Sequence, residues 1–221
     1  TSALSKCRSL VIVEPHYDEY VRYSKMTRDI YDRYTDRVEP FGIDECWLDV
    51  TESQKLFGGG EKIAHEIRNS VLSELGITVS IGVSFTKSFA KLGSDLKKPN
   101  AVTSLPYESF KRDIWCLPVN MLIGVGSATL KKLFMLGIKT IGDLAQYPRE
   151  TLESRLGKCG LMLWLCANGL DMSPVQKKDS HAPIKSIGHS STTLCDLEKE
   201  EDAEDVIVEL CDNIGYRIRN V

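Results

Sequence analysis

The chain has 221 residues, 42% of them apolar and 27% charged, and its 28 Lys and Arg against 31 Asp and Glu leave a net charge of −3. This is the make-up of an ordinary folded protein, not a disordered one, and the length allows one large domain or two to three small ones. No apolar run approaches the ~20 residues of a membrane helix, and seven widely spaced Cys without a C-x-x-C exclude a disulfide framework and a zinc ribbon, predicting reduced, mostly buried thiols.

Residues 9–13 (SLVIV) read as a short buried strand, and Pro15 then stands where a helix starts. That helix bears Tyr17, Tyr20, Val21, Ser24, Tyr31 and Tyr34 at spacings of three, four and seven. Residues 37–41 and 46–50 are strand-like and flank Gly42-Ile43-Asp44-Glu45. After the loop of Gly58, Gly59 and Gly60, a second helix carries Ile63, Ile67, Val71, Leu72 and Leu75 and stops at Gly76. Residues 77–83 alternate as a strand. A third helix runs from Thr86 to about Leu96, closed by Lys97-Lys98-Pro99-Asn100, and residues 101–104 form a last strand. Residues 1–105 thus predict the order β-α-β-β-α-β-α-β, an α+β sheet with helices on one face.

After Pro106 the pattern becomes short helices punctuated by glycines, an all-helical unit reaching about residue 172. Residues 173–184 read as a polar linker, residues 185–194 as a new strand, and residues 200–220 as a helix with Ala203, Val206, Ile207, Leu210 and Ile214 on one face. One strand and one helix cannot close a core alone. The third unit therefore either packs on the others or is part of a longer domain.

Three segments carry candidate chemistry. Asp44 and Glu45 are adjacent, and neighbours along a regular strand point to opposite faces, so two such carboxylates converge only where the chain turns. Gly42 permits that turn. Converging carboxylates suit Mg²⁺, which takes one or two of them plus phosphate oxygens; the competing reading is a solvated hairpin tip. Ile43, Trp47 and Leu48 on the flanks favour a tightly seated turn, and Asp49 is read as a capping or surface group. In the amphipathic helix that follows, Phe89, Ala90 and Gly93 face the sheet, Lys87 and Lys91 share a face, and Lys97 and Lys98 end the helix, where cations complement its dipole; Lys87 and Lys97 are read as structural charges. Lys98, beside Pro99, is a point charge able to hold a polyphosphate. Leu122-Ile123-Gly124-Val125-Gly126-Ser127, followed by L-G-I-K-T-I-G-D-L, has the form of a helix-hairpin-helix. Gly124 and Gly126 let backbone N–H groups approach a phosphate, and the helix opened by Ser127 adds its dipole. Such a contact positions a duplex without reading bases.

Together these segments resemble one family. Residues 42–51 (GIDECWLDVT) are similar to the S-I-D-E-A-x-L-D-V-T motif of Y-family translesion DNA polymerases. Residues 78–100 resemble that family's S-I-G-I-A-x-N-K-x-L-A-K block, the hairpin unit its thumb, and Lys185-Ser186-Ile187-Gly188 the opening of its little finger. The nearest flavour is the bacterial polymerase IV group. The resemblance implies an α+β palm with a ferredoxin-like sheet over 1–105, an all-α helix-hairpin-helix thumb over 106–172, the linker 173–184, and the start of an α/β little finger over 185–221. It further implies a template-directed DNA polymerase performing Mg-dependent nucleotidyl transfer in repair and damage bypass. Asp44 and Glu45 would be the catalytic carboxylates and the ligands of two Mg²⁺ ions, Lys98 would contact the incoming nucleotide, and Gly124, Gly126, Ser127, Lys185 and Ser186 would lie on DNA. The implied partners are primer-template DNA, a deoxynucleoside triphosphate and a sliding clamp, for a cytoplasmic monomer away from membranes.

The departures are also informative. The family's D-x-D-x-F-F/Y strand and Tyr-x-x-x-Arg phosphate clamp are not in this sequence, and its little finger is far longer than residues 185–221. The expectation is a piece of a longer polymerase that does not polymerise alone. Gly42 for Ser, Cys46 for Ala, Thr86 for Asn, and His189-Ser190 where Arg-Glu is common are smaller differences. A non-catalytic DNA-binding module is the alternative class. A nucleotide cyclase is disfavoured by the hairpin unit and the Lys185 block, and a glycosylase by Asp143 lying too near the hairpin. Charge by segment fits a DNA-facing strip: residues 86–139 hold nine bases and three acids, residues 14–55 eleven acids and six bases, and residues 195–212 nine acids and one base.

Overall fold

The computed structural model describes residues 2–178, 180, 184–193 and 195–220. The chain divides into a larger unit, Thr1–Lys178, and a smaller one, Asp179–Val221. The larger unit runs α1 (Ser2–Lys6), α2 (Tyr17–Tyr31), β1 (Val38–Phe41), β2 (Glu45–Leu48), α3 (Gln54–Phe57), α4 (Gly60–Leu75), β3 (Ile81–Ser84), α5 (Lys87–Leu96) and β4 (Val102–Leu105). Its helical half follows as α6 (Phe110–Ile114), a 3₁₀ turn at Val119–Met121, α7 (Ser127–Met135), α8 (Ile141–Gln146), α9 (Arg149–Leu156) and α10 (Lys158–Ala167).

The α+β character and the helical second half follow the sequence pattern, but the sheet is in two pieces. β1 and β2 form an antiparallel hairpin, with Phe41 opposite Glu45 and Val38 opposite Leu48. β3 and β4 pair in parallel through the crossover α5, with Ile81 opposite Val102. Two further expectations need correction. Residues 9–13 are not a buried strand: Val11, Ile12 and Val13 are 81%, 71% and 78% exposed in irregular chain. An apolar run alone specifies burial only where a neighbouring edge accepts its hydrogen bonds. The thiols are not mostly buried either: Cys166 is buried and Cys46 half-buried, but Cys7, Cys116, Cys159, Cys195 and Cys211 are exposed.

Two cores hold the larger unit. In one, Ile30 of α2 packs with Ile63, Ile67 and Val71 of α4, while Leu48, Val50, Val79 and Ile81 lean on them. This core joins the two half-sheets from one side. The other joins Phe89 and Leu92 of α5 and Leu105 of β4 to Phe110, Ile114, Leu122, Leu133, Ile141 and their neighbours in the helical half. Each fully buried side chain of this size contributes about 1.5–3 kcal/mol. Edge-to-face ring contacts reinforce the seam, with Phe85 5.6 Å from Phe89 and 5.1 Å from Tyr107. Thus α5 serves both the sheet and the helical half.

Residues 171–178 run back along β1. Ser88 donates to Asp171 (2.9 Å), the Gln176 N–H to Glu39 (2.7 Å), and the Lys178 N–H to the Asp36 carbonyl (3.2 Å). Burial pushes the Glu39 and Asp171 carboxyls up, but hydrogen bonds from Lys87 and Gln176 on Glu39, and from Ser173 and Ser88 on Asp171, outweigh it and hold both below their usual range. A carboxylate with a depressed folded pKa contributes stability above its unfolded pKa and loses it as pH falls through the folded value. The urea midpoint should therefore change little between pH 7 and 5 and drop below about pH 4. Glu39→Gln should make that acid drop shallower in urea titrations followed by circular dichroism.

The smaller unit contains α11 (Glu200–Arg219). Ala203, Val206, Leu210 and Ile214 are half-buried along one face, whereas Ile207 is exposed. The strand expected over 185–194 does not form among the described residues, which are irregular and mostly exposed; Leu194 lies outside them. The Arg217 guanidinium donates to the Gly188 carbonyl (2.7 Å). Among the described residues no helix is long and apolar enough to cross a membrane.

Candidate active site and nucleic-acid interface

The acidic pair sits at the β1–β2 turn. Gly42 has φ +80°, a left-handed conformation that glycine adopts without a Cβ penalty. Ser24 of α2 donates to the Ile43 carbonyl, and Arg28 reaches Ser24 Oγ (3.1 Å), so the tip is tied to a helix and is not a loose solvated loop. Asp44 is exposed in the turn, and Glu45, half-buried, opens β2. Among the described residues the Asp44 carboxylate has no hydrogen-bond or ion-pair partner. Behind the turn, burial pushes the Cys46 thiol up to about 11, against the opposing pull of Arg28.

The hairpin docks on the start of α5. Trp47 stacks against Phe41 (4.7 Å between centroids) and donates its indole N–H to the Lys87 carbonyl (3.1 Å). The Lys87 ammonium pairs with Glu39 (2.6 Å) and lies 5.2 Å from the Trp47 ring. Lys87 is therefore a docking residue, more than the simple helix-end charge its position suggested. Thr86 caps α5 by accepting from the Phe89 N–H, an arrangement worth about 1 kcal/mol.

This docking turns the outer face of α5 toward the acidic pair. Lys91 contacts Glu45 (3.2 Å) and Asp95 (2.5 Å), and Lys98 contacts Asp95 (2.7 Å). Burial lowers the Lys91 ammonium, but pairing with Asp95 and Glu45 outweighs it and raises Lys91 above the usual lysine value. Burial likewise raises Asp95, and hydrogen bonds from Lys91 and Lys98 bring it below the usual carboxylate range. Asp44, Glu45, Lys91 and Lys98 all line one cavity of about 980 Å³, which continues between β2 and β3 over Leu48, Ile63, Ile67 and Ile81. The structure thus brings together Asp44, Glu45 and Lys98. It adds Lys91 and Asp95, whose i, i+4 spacing was in the sequence but whose partner across the fold was not.

Asp44 and Glu45 offer oxygen donors only, a hard set that fits Mg²⁺ completed by phosphate oxygens and water. Among the described residues no group of three His, Cys, Asp or Glu side chains converges on one point. Asp49 is engaged elsewhere, accepting from the Thr51 N–H (3.0 Å).

The second candidate surface is the glycine hairpin. The Val119–Met121 turn leads into Gly124, with φ +89°, and Gly126 is the N-cap of α7. A Cβ on Gly126 would meet nothing within 4 Å, so its backbone faces open space. Val125 is tucked among the buried side chains beneath. The next helix, α8, opens with a capping box in which Thr140 accepts from the Asp143 N–H (3.0 Å) and Asp143 accepts from the Thr140 N–H (2.8 Å). Asp143 is thus a structural cap. Lys131 and Lys132 are exposed on α7. Lys185 and Ser186 are exposed in irregular chain of the smaller unit.

A split α+β sheet with an acidic turn, joined by a lysine-bearing helix to a helix-hairpin-helix bundle, is the palm and thumb arrangement of one class of DNA polymerase. Residues 1–95 match the impB/mucB/samB family, and residues 120–171 match the DNA polymerase-iota thumb domain. The chain is 53% identical over 218 residues to DNA polymerase IV of Acetivibrio thermocellus, covering 99% of this chain and 55% of that protein. It is 40% identical over 220 residues to DNA polymerase IV 2 of Halalkalibacterium halodurans, covering 98% and 54%. Among solved structures, DinB from Sulfolobus solfataricus superposes with a TM-score of 0.72 at 28% identity, over 80% of this chain and 52% of that one. An insertion ternary complex of Dbh DNA polymerase matches with a TM-score of 0.72 at 27% identity, over 79% and 52%. The chain belongs to the Y-family of DNA polymerases. Within that family its curated relatives are DNA polymerases IV, and it spans about half of their length.

Proposed function

We propose that this chain is the palm and thumb portion of a template-directed, translesion-type DNA polymerase, working together with segments that its relatives carry beyond the matched half. The observation that carries this reading is the cavity lined by Asp44, which has no partner among the described residues, by its neighbour Glu45 and by Lys98. Asp44 and Glu45 would hold Mg²⁺, which supplies charge neutralisation at the phosphoryl oxygens during in-line transfer. Lys98, 55% exposed and held only by Asp95 among the described residues, would take a triphosphate oxygen of a deoxynucleotide. Gly124, Gly126 and the α7 N-terminus at Ser127 offer backbone N–H groups to a DNA phosphate. Lys185 and Ser186 are proposed to add backbone contacts from the smaller unit. Repair by damage bypass is the role we assign.

The two carboxylates on one short turn hold a cation weakly, so the 221-residue chain alone is expected to give no template-directed primer extension. Flanked by the corresponding terminal segments of the Acetivibrio DNA polymerase IV, it is expected to extend a primer. Extension by the bare chain, or none by a folded chimera, would overturn the reading.

The bare chain should still bind primer-template DNA without sequence preference. Fluorescence anisotropy should show affinity falling about tenfold or more between 50 and 200 mM salt. Lys131→Gln with Lys132→Gln should weaken binding evenly across sequences and flatten the salt slope.

A further inference from the structure

We infer that Lys91 is the positioning residue of the acidic turn: an internal counter-ion that holds Glu45 until a divalent cation takes it, and then falls back on Asp95. The inference rests on the reading of Asp44 and Glu45 as a cation site. The geometry is a four-membered chain of alternating charge, Glu45–Lys91–Asp95–Lys98, with contacts of 3.2, 2.5 and 2.7 Å. Lys91 is the most enclosed of the four, its side chain 19% exposed against 36% for Glu45, 39% for Asp95 and 55% for Lys98.

The contacts are unequal. Lys91 is closer to Asp95, one helical turn away on its own helix, than to Glu45, across the fold. An ammonium is compact and has three donors, so it can serve both carboxylates and release the more distant one without leaving its pocket. A dication arriving at Glu45 repels Lys91, which strengthens its hold on Asp95. Asp95 then holds Lys98 less tightly, because one carboxylate satisfies two cations less well when one of them is drawn closer. Cation arrival at the turn thus frees Lys98 for phosphate, coupling the two binding events through these four side chains. The coupling is reciprocal: phosphate on Lys98 leaves Asp95 to Lys91 and so favours the cation.

The test is Mn²⁺ binding to the 221-residue chain at low ionic strength, followed by the electron paramagnetic resonance signal of free Mn²⁺. The site is defined as the part of the binding lost in Glu45→Gln. Lys91→Gln should tighten that site about three- to tenfold, because a competing charge a few ångströms away is removed. Lys91→Arg should stay within about twofold of the parent, because the pairing is kept. Asp95→Asn should weaken the site about two- to fivefold, because Lys91 has only Glu45 left. Lys97→Gln, which removes the same charge from the end of the same helix, is the control and should change little. The inference is overturned if Lys91→Gln binds Mn²⁺ no more tightly than Lys97→Gln, or if Asp95→Asn binds more tightly than the parent. If Lys91→Gln does not fold, by circular dichroism, the Arg and Asn variants decide: an unchanged Asp95→Asn overturns the inference. If Glu45→Gln removes no binding at all, the cation-site reading itself fails, an outcome distinct from the other two.

Discussion

Asp44→Asn, placed in the chimera that completes the polymerase, is expected to lower primer extension by about a thousandfold or more while leaving DNA affinity within about twofold. The asymmetry follows from where the charge is used. Asp44 projects from the β1–β2 turn with no protein partner among the described residues, so its loss disturbs no ion pair or hydrogen bond of the fold. The DNA contacts we propose lie on the thumb hairpin and at Lys185 and Ser186, and do not use it. The measurement is single-turnover extension beside anisotropy. A variant retaining a tenth of the parent rate would remove Asp44 from the catalytic role. Melting by circular dichroism should show the variant as stable as the parent, which separates chemistry from folding.

The second large effect is on stability, and it falls at a glycine. Gly82→Ala in β3 is expected to destabilise the chain by about 3 kcal/mol or more, lowering its midpoint by roughly 10 °C. A Cβ at Gly82 would stand 1.9 Å from the Ala90 carbonyl oxygen and 2.6 Å from the Ser94 nitrogen. Both are backbone atoms of α5, and they cannot rotate aside as a long side chain would. Across the same contact, a Cβ on Gly93 would come within 3.1 Å of Gly82 Cα. Strand and helix therefore meet backbone to backbone, and the substitution must push α5 away from β3. Because α5 carries Lys91 and Asp95, the push also moves both from Glu45. Thermal unfolding measures the first effect, and Mn²⁺ binding in the refolded variant measures the second. A midpoint within 2 °C of the parent would show that β3 and α5 are not so closely packed.

Much of this could be read from the residues in order. The spacing of Ile63, Ile67 and Val71 predicts α4 and its buried face, and Gly76 ends it as expected. Thr86 and Leu96 bound α5 within a residue of the structure. Gly124-Val125-Gly126 and the L-G-I-K-T-I-G-D-L run after it locate the hairpin, because turns depend on contacts three or four residues apart. The motif around Asp44 and Glu45 is equally local.

Tertiary structure decided the rest, for reasons of distance along the chain. Residues 9–13 have the composition of a buried strand yet lie exposed, since burial depends on a pairing edge that composition does not reveal. Lys87 looked like a structural charge on the face it shares with Lys91, but its partner, Glu39, is 48 residues away. Gly82 sat unremarked in an alternating strand until α5 came to lie on it. Lys91 shares a face with Lys87 in any helical projection, but only the docking of Trp47 on the start of α5 brings its ammonium to Glu45. The sequence by itself determined most of the helices, the family and the identity of the acidic pair, because those rest on local spacing and motif. Which charges oppose that pair was decided only when the two half-sheets and α5 packed, because Coulomb energy depends on separation in space and not on separation along the chain.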